Sequence, residues 1–235
     1  MKWKIFTLLL VVTFLGACKS TKVNSAKTNT EKESADKISY LALGDSYTIG
    51  ELVEQQGTYP FLLAKSITEK TKLQVVPPTI IAKTGWRTDE LLIAIKSVDE
   101  KYDLVSLLIG VNNQYQGKEI GLFRKEFTML LEKAIAFSKN GKKGVFVYSI
   151  PDYSVMPFMR DKNVKKVATE IKNYNLVCVE VSKELGVSFY DITPISQKAS
   201  YEDKYVADDK LHPSAKMYQV WVTETVDRII ANQLR

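Results

Sequence analysis

Short apolar runs separated by longer helical stripes constrain this chain more than any other feature. Ile38–Leu43, Thr79–Ala82, Leu104–Ile109, Val145–Ile150 and Val187–Tyr190 are each four to six residues long, the length of a strand rather than a helix. Leu104–Ile109 and Val145–Ile150 are apolar but for Ser106 and Ser149, as strands covered on both faces are. Pro77-Pro78 cannot lie in a central strand, so the second strand is either the short Thr79–Ala82 piece or a sheet edge. Between the strands, apolar residues return every three or four positions. The spacing predicts helices over Tyr59–Thr71, Thr88–Val98 with Thr88 as N-cap, Lys118–Ser138 and Val164–Leu185, and a terminal helix capped by Ser214. The fourth is the clearest, with Val164, Val167, Ile171, Tyr174, Cys178, Val181 and Leu185 on one stripe and Gly186 at its end. Tyr47–Gly57 reads as a loop and Lys198–Lys210 as irregular. Strands alternating with helices make a parallel sheet of about five strands with helices on both faces, a three-layer α/β/α sandwich.

The first 36 residues do not belong to that pattern. Met1-Lys2-Trp3-Lys4 is basic, and Ile5–Ala17 is a run of 13 mostly apolar residues. A spanning helix needs about 20, so residues 1–17 read as a signal peptide. The segment ends Leu15-Gly16-Ala17-Cys18, which resembles the lipobox of bacterial lipoproteins. That resemblance implies cleavage before Cys18, a lipidated Cys18 thiol, and a protein anchored in the cell envelope, as a periplasmic or outer-membrane lipoprotein. An ordinary secretory signal with an incidental cysteine is the alternative. Residues 18–36 are Lys/Thr/Ser/Asn/Glu-rich, with Val23 the one branched aliphatic, and cannot build a core. They read as a tether spanning roughly 25 Å, and the folded domain is expected over residues 37–235.

Composition narrows the chemistry. Removal of Lys2 and Lys4 takes the formal charge from +6 to +4, with no arginine cluster or basic-aromatic stripe, so nucleic acid is not an expected partner. With one histidine and two cysteines, a metal site of several His or Cys side chains is excluded by supply, and no cofactor is expected. Cys178 lies on a buried helical stripe and reads as a small core hydrophobe. Any histidine base must be His212.

The polar clusters collect where parallel strands end: Gly44-Asp45-Ser46, Lys83-Thr84-Gly85, Gly110-Val111-Asn112-Asn113 and Pro151-Asp152. Those ends share one sheet edge, where open α/β sheets bind ligands. Gly44-Asp45-Ser46 alone fits a strand-to-loop turn as well as a nucleophile. Asp209 and His212 are three apart, which on a helical turn puts both side chains on one side. An acid beside a histidine can fix its tautomer, and that histidine can take a proton from a serine; a solvated loop histidine fits the same residues.

Taken together these segments resemble the SGNH, or GDSL, hydrolases over about Ile38 to the terminal helix. Gly44-Asp45-Ser46 matches the first block, Gly85 the second, Gly110-x-Asn112 the third and Asp209-x-x-His212 the fifth. The resemblance implies a flavodoxin-like fold and a serine esterase acting on short-chain acyl or carbohydrate O-acetyl esters. It makes Ser46 the nucleophile, His212 the base and Asp209 its orienting acid, with the Ser46 and Gly85 N–H groups and the Asn112 amide as oxyanion hole. Asp45 reads as loop-shaping. The third block commonly runs Gly-x-Asn-Asp, and here Asn113 stands in the last place. That departure leaves a second reading, a non-catalytic envelope lipoprotein binding a glycan or ester ligand. The expected partners are a small ester or acylated glycan and, through Cys18, a membrane, with the chain acting as a monomer. Tyr47, Trp86, Tyr115, Tyr153 and Phe158 stand near the loops that would build the pocket.

Overall fold

The computed structural model of this protein describes residues 36–160 and 162–234. The signal segment 1–17, Cys18 and the tether as far as residue 35 lie outside the described residues. The chain runs β1 (Lys37–Ile38), β2 (Tyr40–Gly44), α1 (Ser46–Ile49), α2 (Tyr59–Lys70), β3 (Gln74–Val75), β4 (Thr79–Ala82) and α3 (Thr88–Ala94). It continues β5 (Leu104–Leu108), α4 (Val111–Tyr115), α5 (Ile120–Phe137), β6 (Val145–Tyr148), α6 (Val164–Leu185), β7 (Ser188–Tyr190), α7 (Thr193–Ser196) and α8 (Ala215–Gln233).

Five strands form one parallel sheet in the order β4-β2-β5-β6-β7. Helix α2 packs on α8, while α3, α5 and α6 pack in a row, so apolar faces are covered on both sides. Every residue of β2, β5 and β6 is buried. The chain passes from β2 to β4 on one side and then to β5 on the other, which makes β2 the switch point of the sheet. Register levels the strand ends: Gly44 pairs with Ala82 on one side and Leu108 on the other. The polar segments after β2, β4 and β5 therefore leave one edge side by side.

Gly44 is required by close approach. A Cβ there would stand 2.1 Å from Thr48 Oγ1 and 2.2 Å from the Leu108 carbonyl oxygen. Beneath this turn a chain of buried hydroxyls replaces apolar packing. Tyr40 and Tyr59 both bond Ser106 Oγ, at 2.8 and 3.2 Å, and Tyr59 also reaches Thr48 Oγ1 at 3.3 Å. Each of these four hydroxyls, on Tyr40, Thr48, Tyr59 and Ser106, has a partner, which removes the cost of an unpaired one.

Several sequence expectations are corrected. The run Ile38–Leu43 is two strands, because Ser39 donates its N–H and hydroxyl to Asp103 Oδ2 (2.8 and 2.7 Å) and leaves the ladder. The piece before Ser39 pairs instead with β3. Thr88 is the first helical residue and not the cap; Arg87 holds the cap position and its N–H donates to the Glu90 carboxylate. The same helix stops at Ala94, short of Val98. The segment after Ser46 opens with a helical turn, α1, capped by the Asp45 side chain, which accepts the Tyr47 N–H, and only then becomes loop. The irregular stretch 198–210 contains two short 3₁₀ turns. Helix α6 matches its expected bounds, with Gly186 left-handed at φ 69°, and Ser214 caps α8 by accepting the Met217 N–H. Strand β4 is a sheet edge, as Pro77-Pro78 require.

Candidate active site

Ser46 follows β2 closely, and its hydroxyl faces the only histidine of the chain. His212 Nε2 lies 3.0 Å from Ser46 Oγ, and His212 Nδ1 lies 2.5 Å from Asp209 Oδ2. Ser46 and His212, 166 positions apart in the chain, thus meet directly, and the imidazole links Ser46 to Asp209. Ser46 is 4% exposed, and the His212 and Asp209 side chains 12% and 29%, so the relay is shielded but reachable. The Tyr47 ring meets the imidazole edge-on at 5.9 Å and is itself backed by Trp221 of α8 at 6.5 Å.

Asp209 and His212 do not share a helical turn. They lie in a loop closed by an antiparallel bridge between Val206 and Pro213. Lys210 takes a left-handed φ of 65° to turn that loop, a conformation costly for a residue with a Cβ. Asp209 Oδ1 accepts the N–H groups of Leu211 and His212, both at 2.9 Å, which leaves Oδ2 for the ring. Partial burial acts to raise the Asp209 carboxyl, but the imidazole and these two N–H groups outweigh it and hold the carboxyl below its ordinary value. The spacing of three therefore marks the right pair, but through a different backbone shape from the one expected.

Ser46, Gly85, Asn112 and His212 line one cavity of about 230 Å³, together with Tyr47, Thr84, Val111, Tyr115, Tyr153, Phe158 and Leu211. Gly85 has φ 86° with open space where a Cβ would be, so the backbone conformation rather than crowding calls for glycine. Thr84 is tied to Glu51 by a side-chain hydrogen bond. Four of the five aromatics singled out in the sequence line the cavity. Trp86 does not: it supplies its carbonyl, which accepts the Asn112 amide N–H at 3.0 Å. The wall carrying Tyr153 and Phe158 is fastened at both ends. The Tyr153 hydroxyl donates to Gln114 Oε1 at 2.8 Å, and the Phe158 N–H donates to the Lys210 carbonyl at 2.9 Å.

Asn113 points away from the cavity. Its Oδ1 accepts the Thr88 N–H at 3.1 Å and its Nδ2 donates to Thr88 Oγ1 at 2.7 Å, while the Thr88 hydroxyl donates to Glu126. Asn113 and Thr88 are both buried. Nothing in the sequence flagged the role of Thr88 or Glu126 here, because the link runs across three separate elements.

Asp45 is fully buried. Oδ1 accepts the Tyr47 N–H at 3.0 Å, and Oδ2 has no hydrogen-bond partner among the described residues. Burial raises its carboxyl from 3.8 to about 7, against the opposing pull of backbone N–H groups. Cys178 is likewise buried, which pushes its thiol far up. A larger cavity of about 430 Å³ lies against α6 and the segment after β7. Its polar side chains Asn175, Asp191 and Thr193 are already bonded to backbone or to one another, and it contains none of the relay.

The comparisons bear on family and fold. The model of the GDSL-like Lipase/Acylhydrolase family matches residues 42–220, a span from β2 into α8. No curated protein matches the chain. Among solved structures, the chain is similar to a lipase/acylhydrolase from Enterococcus faecalis, with TM-score 0.66 at 20% identity over 83% of this chain and 96% of that one. It is similar to the lipase Lip_vut3 from a goat rumen metagenome, with TM-score 0.67 at 18% identity over 84% and 100%. The acetylxylan esterase Axe2 from Geobacillus stearothermophilus gives TM-score 0.63 at 17% identity over 83% and 95%. At such identities these structures share the fold.

Proposed function

This chain belongs to the GDSL-like lipase/acylhydrolase family, and on that basis we propose that it is a serine esterase working through Ser46, His212 and Asp209. The observation that carries the reading is the 3.0 Å approach of His212 Nε2 to Ser46 Oγ, with Asp209 on the other ring nitrogen. The Asp209 contact puts the proton on Nδ1 and leaves Nε2 free to accept. Ser46 Oγ attacks the ester carbonyl carbon as its proton passes to Nε2. The oxyanion that forms is held by the Ser46 and Gly85 N–H groups and the Asn112 amide, donors worth about 10²–10³ in rate each. The intermediate collapses, the alkoxide leaves with the proton from His212, and an acyl-Ser46 ester remains. Water then repeats the sequence and releases the acid.

The acyl group is short or an acetyl on a carbohydrate. A cavity of about 230 Å³, walled by Val111, Phe158 and Leu211, supports a small acyl group, and an acetylxylan esterase shares the fold. Asn113 supports catalysis over mere ligand binding, since its amide is spent on Thr88 and its lack of charge does not reach the cavity. The test is covalent labelling of Ser46 by a fluorophosphonate, followed by a panel of esters graded in acyl length and of acetylated sugars. A folded, unlabelled protein overturns the reading. The proposed setting is the cell envelope, with Cys18 lipidated. Cys18→Ser is expected to release the protein from membranes with its esterase activity intact, and a variant that stays membrane-bound defeats the anchor.

A further inference from the structure

We propose that Asn113 and Glu126 are a matched pair of positioning residues, reading opposite ends of one Thr88 hydroxyl, and that together they hold the oxyanion-hole loop in place. The inference rests on the serine-esterase reading for its effect on turnover, and on hydrogen-bond direction for its logic. A backbone N–H can only donate, so the atom of Asn113 that meets the Thr88 N–H at 3.1 Å is the carbonyl oxygen. The amide nitrogen is thereby turned toward Thr88 Oγ1 at 2.7 Å. An amide N–H₂ can only donate, so the Thr88 oxygen accepts there. Its single proton is left for Glu126, whose carboxylate accepts it. Donation runs in one direction, from Asn113 to Thr88 to Glu126.

An aspartate at 113 breaks that order. Its second oxygen would face the Thr88 hydroxyl, and two carboxylates would compete for one proton. The residue that the third block commonly carries is therefore the wrong one beside Glu126, and the exchange to asparagine is compensated within the chain. Thr88 is 0% exposed and Asn113 1%, so a lost partner leaves a buried polar group.

The pair bears on the reaction through the loop it clamps. Asn112 donates to the Trp86 carbonyl at 3.0 Å, and Asn113 grips Thr88 two residues on. Neighbouring amides thus hold the backbone just beyond Gly85, while Asn112 and Gly85 both line the cavity. A shift of Thr88 moves both oxyanion donors relative to Ser46.

The experiment is a cycle of Asn113→Asp, Glu126→Gln and the double variant, read by kcat, KM and melting temperature, with Ser46→Ala alongside. Asn113→Asp is expected to lower kcat about tenfold to a hundredfold at nearly constant KM, the size of a misplaced donor, and to lower the melting temperature. Glu126→Gln alone is expected to stay within about threefold, because a side-chain amide can still accept the Thr88 proton. In the double variant the direction of donation reverses. The introduced amide at position 126 donates to the Thr88 oxygen, and the Thr88 hydroxyl donates to the introduced carboxylate at position 113. There kcat returns to within about threefold of the unaltered protein. An Asn113→Asp protein that does not fold, beside a double variant that does, supports the pairing equally. An Asn113→Asp variant with unchanged kcat and melting temperature, or a double variant no better than a damaged Asn113→Asp, overturns the pairing. Ester turnover that persists in Ser46→Ala overturns the serine reading instead, and the melting-temperature cycle then still decides the pair.

Discussion

The two ends of the Ser46–His212 relay are held by opposite strategies. Ser46 sits at the tip of β2, a fully buried strand paired in register on both sides, over a layer of mutually bonded hydroxyls. His212 sits in a partly exposed loop that holds its own shape, with Asp209 gripping two N–H groups and Lys210 at a left-handed turn. One end is fixed by the whole sheet and the other by the short segment 206–213. The Ser46 end is thus as stable as the fold, whereas the His212 end depends on a local turn that can be altered separately.

The largest effect expected from this contrast is in turnover. Ser46→Ala and His212→Ala should each lower kcat by about 10⁴-fold or more, and the double variant should fall no further, because the groups act as one unit. Additive losses would separate the two ends. Second in size is Gly44→Ala, which drives a methyl into Thr48 and the Leu108 carbonyl. It should cost about 2–3 kcal/mol, or roughly 5–10 °C in melting temperature. An unchanged melting curve would show that the Ser46 turn is not fixed by the sheet.

Asp45 sharpens the comparison through pH. Its carboxyl ionises near 3.8 in the unfolded chain and near 7 in the folded one. Between those values the folded state binds the extra proton, so this contribution to stability is full at low pH and is lost as pH rises toward and past 7. Asp45→Asn should therefore gain melting temperature relative to the unaltered protein from about pH 4 to about pH 8, while its Oδ1 still accepts the Tyr47 N–H. A constant gap across that range would refute the buried carboxyl. The smallest effect is expected at Lys210→Gly. Relief of the left-handed turn, about 1 kcal/mol, is partly offset by the freer unfolded chain. Melting temperature should move by no more than about 3 °C with turnover nearly unchanged. A large loss of turnover would mean that the Lys210 side chain itself shapes the His212 loop.

The parts that were readable in the sequence are those set by local chemistry. Helix α6 shows its stripe, and Gly186 its stop. The ends of β2, β4 and β5 are marked by polar residues, so the edge on which the site lies follows from the alternation of strands and helices. What failed to show depends on partners far away in the chain. Ser39 looks like part of a continuous strand until Asp103, 64 residues on, takes its N–H. Thr88 is a good cap by residue type, yet Asn113 claims its N–H and hydroxyl. The Asp209–His212 adjacency was readable and the loop that makes it was not, because the Val206–Pro213 bridge and the Lys210 backbone leave no periodic signal.

On the proposed serine-esterase reading, one bond joins substrate fit to proton transfer. The Phe158 N–H donates to the Lys210 carbonyl, so a peptide hydrogen bond ties the cavity wall to the loop that carries His212. An acyl chain too bulky for the cavity would lever Phe158 outward and drag the imidazole off the serine with it. Poorly fitting esters would then be refused by slow chemistry even where they adhere well, and discrimination among substrates would be written in the rate.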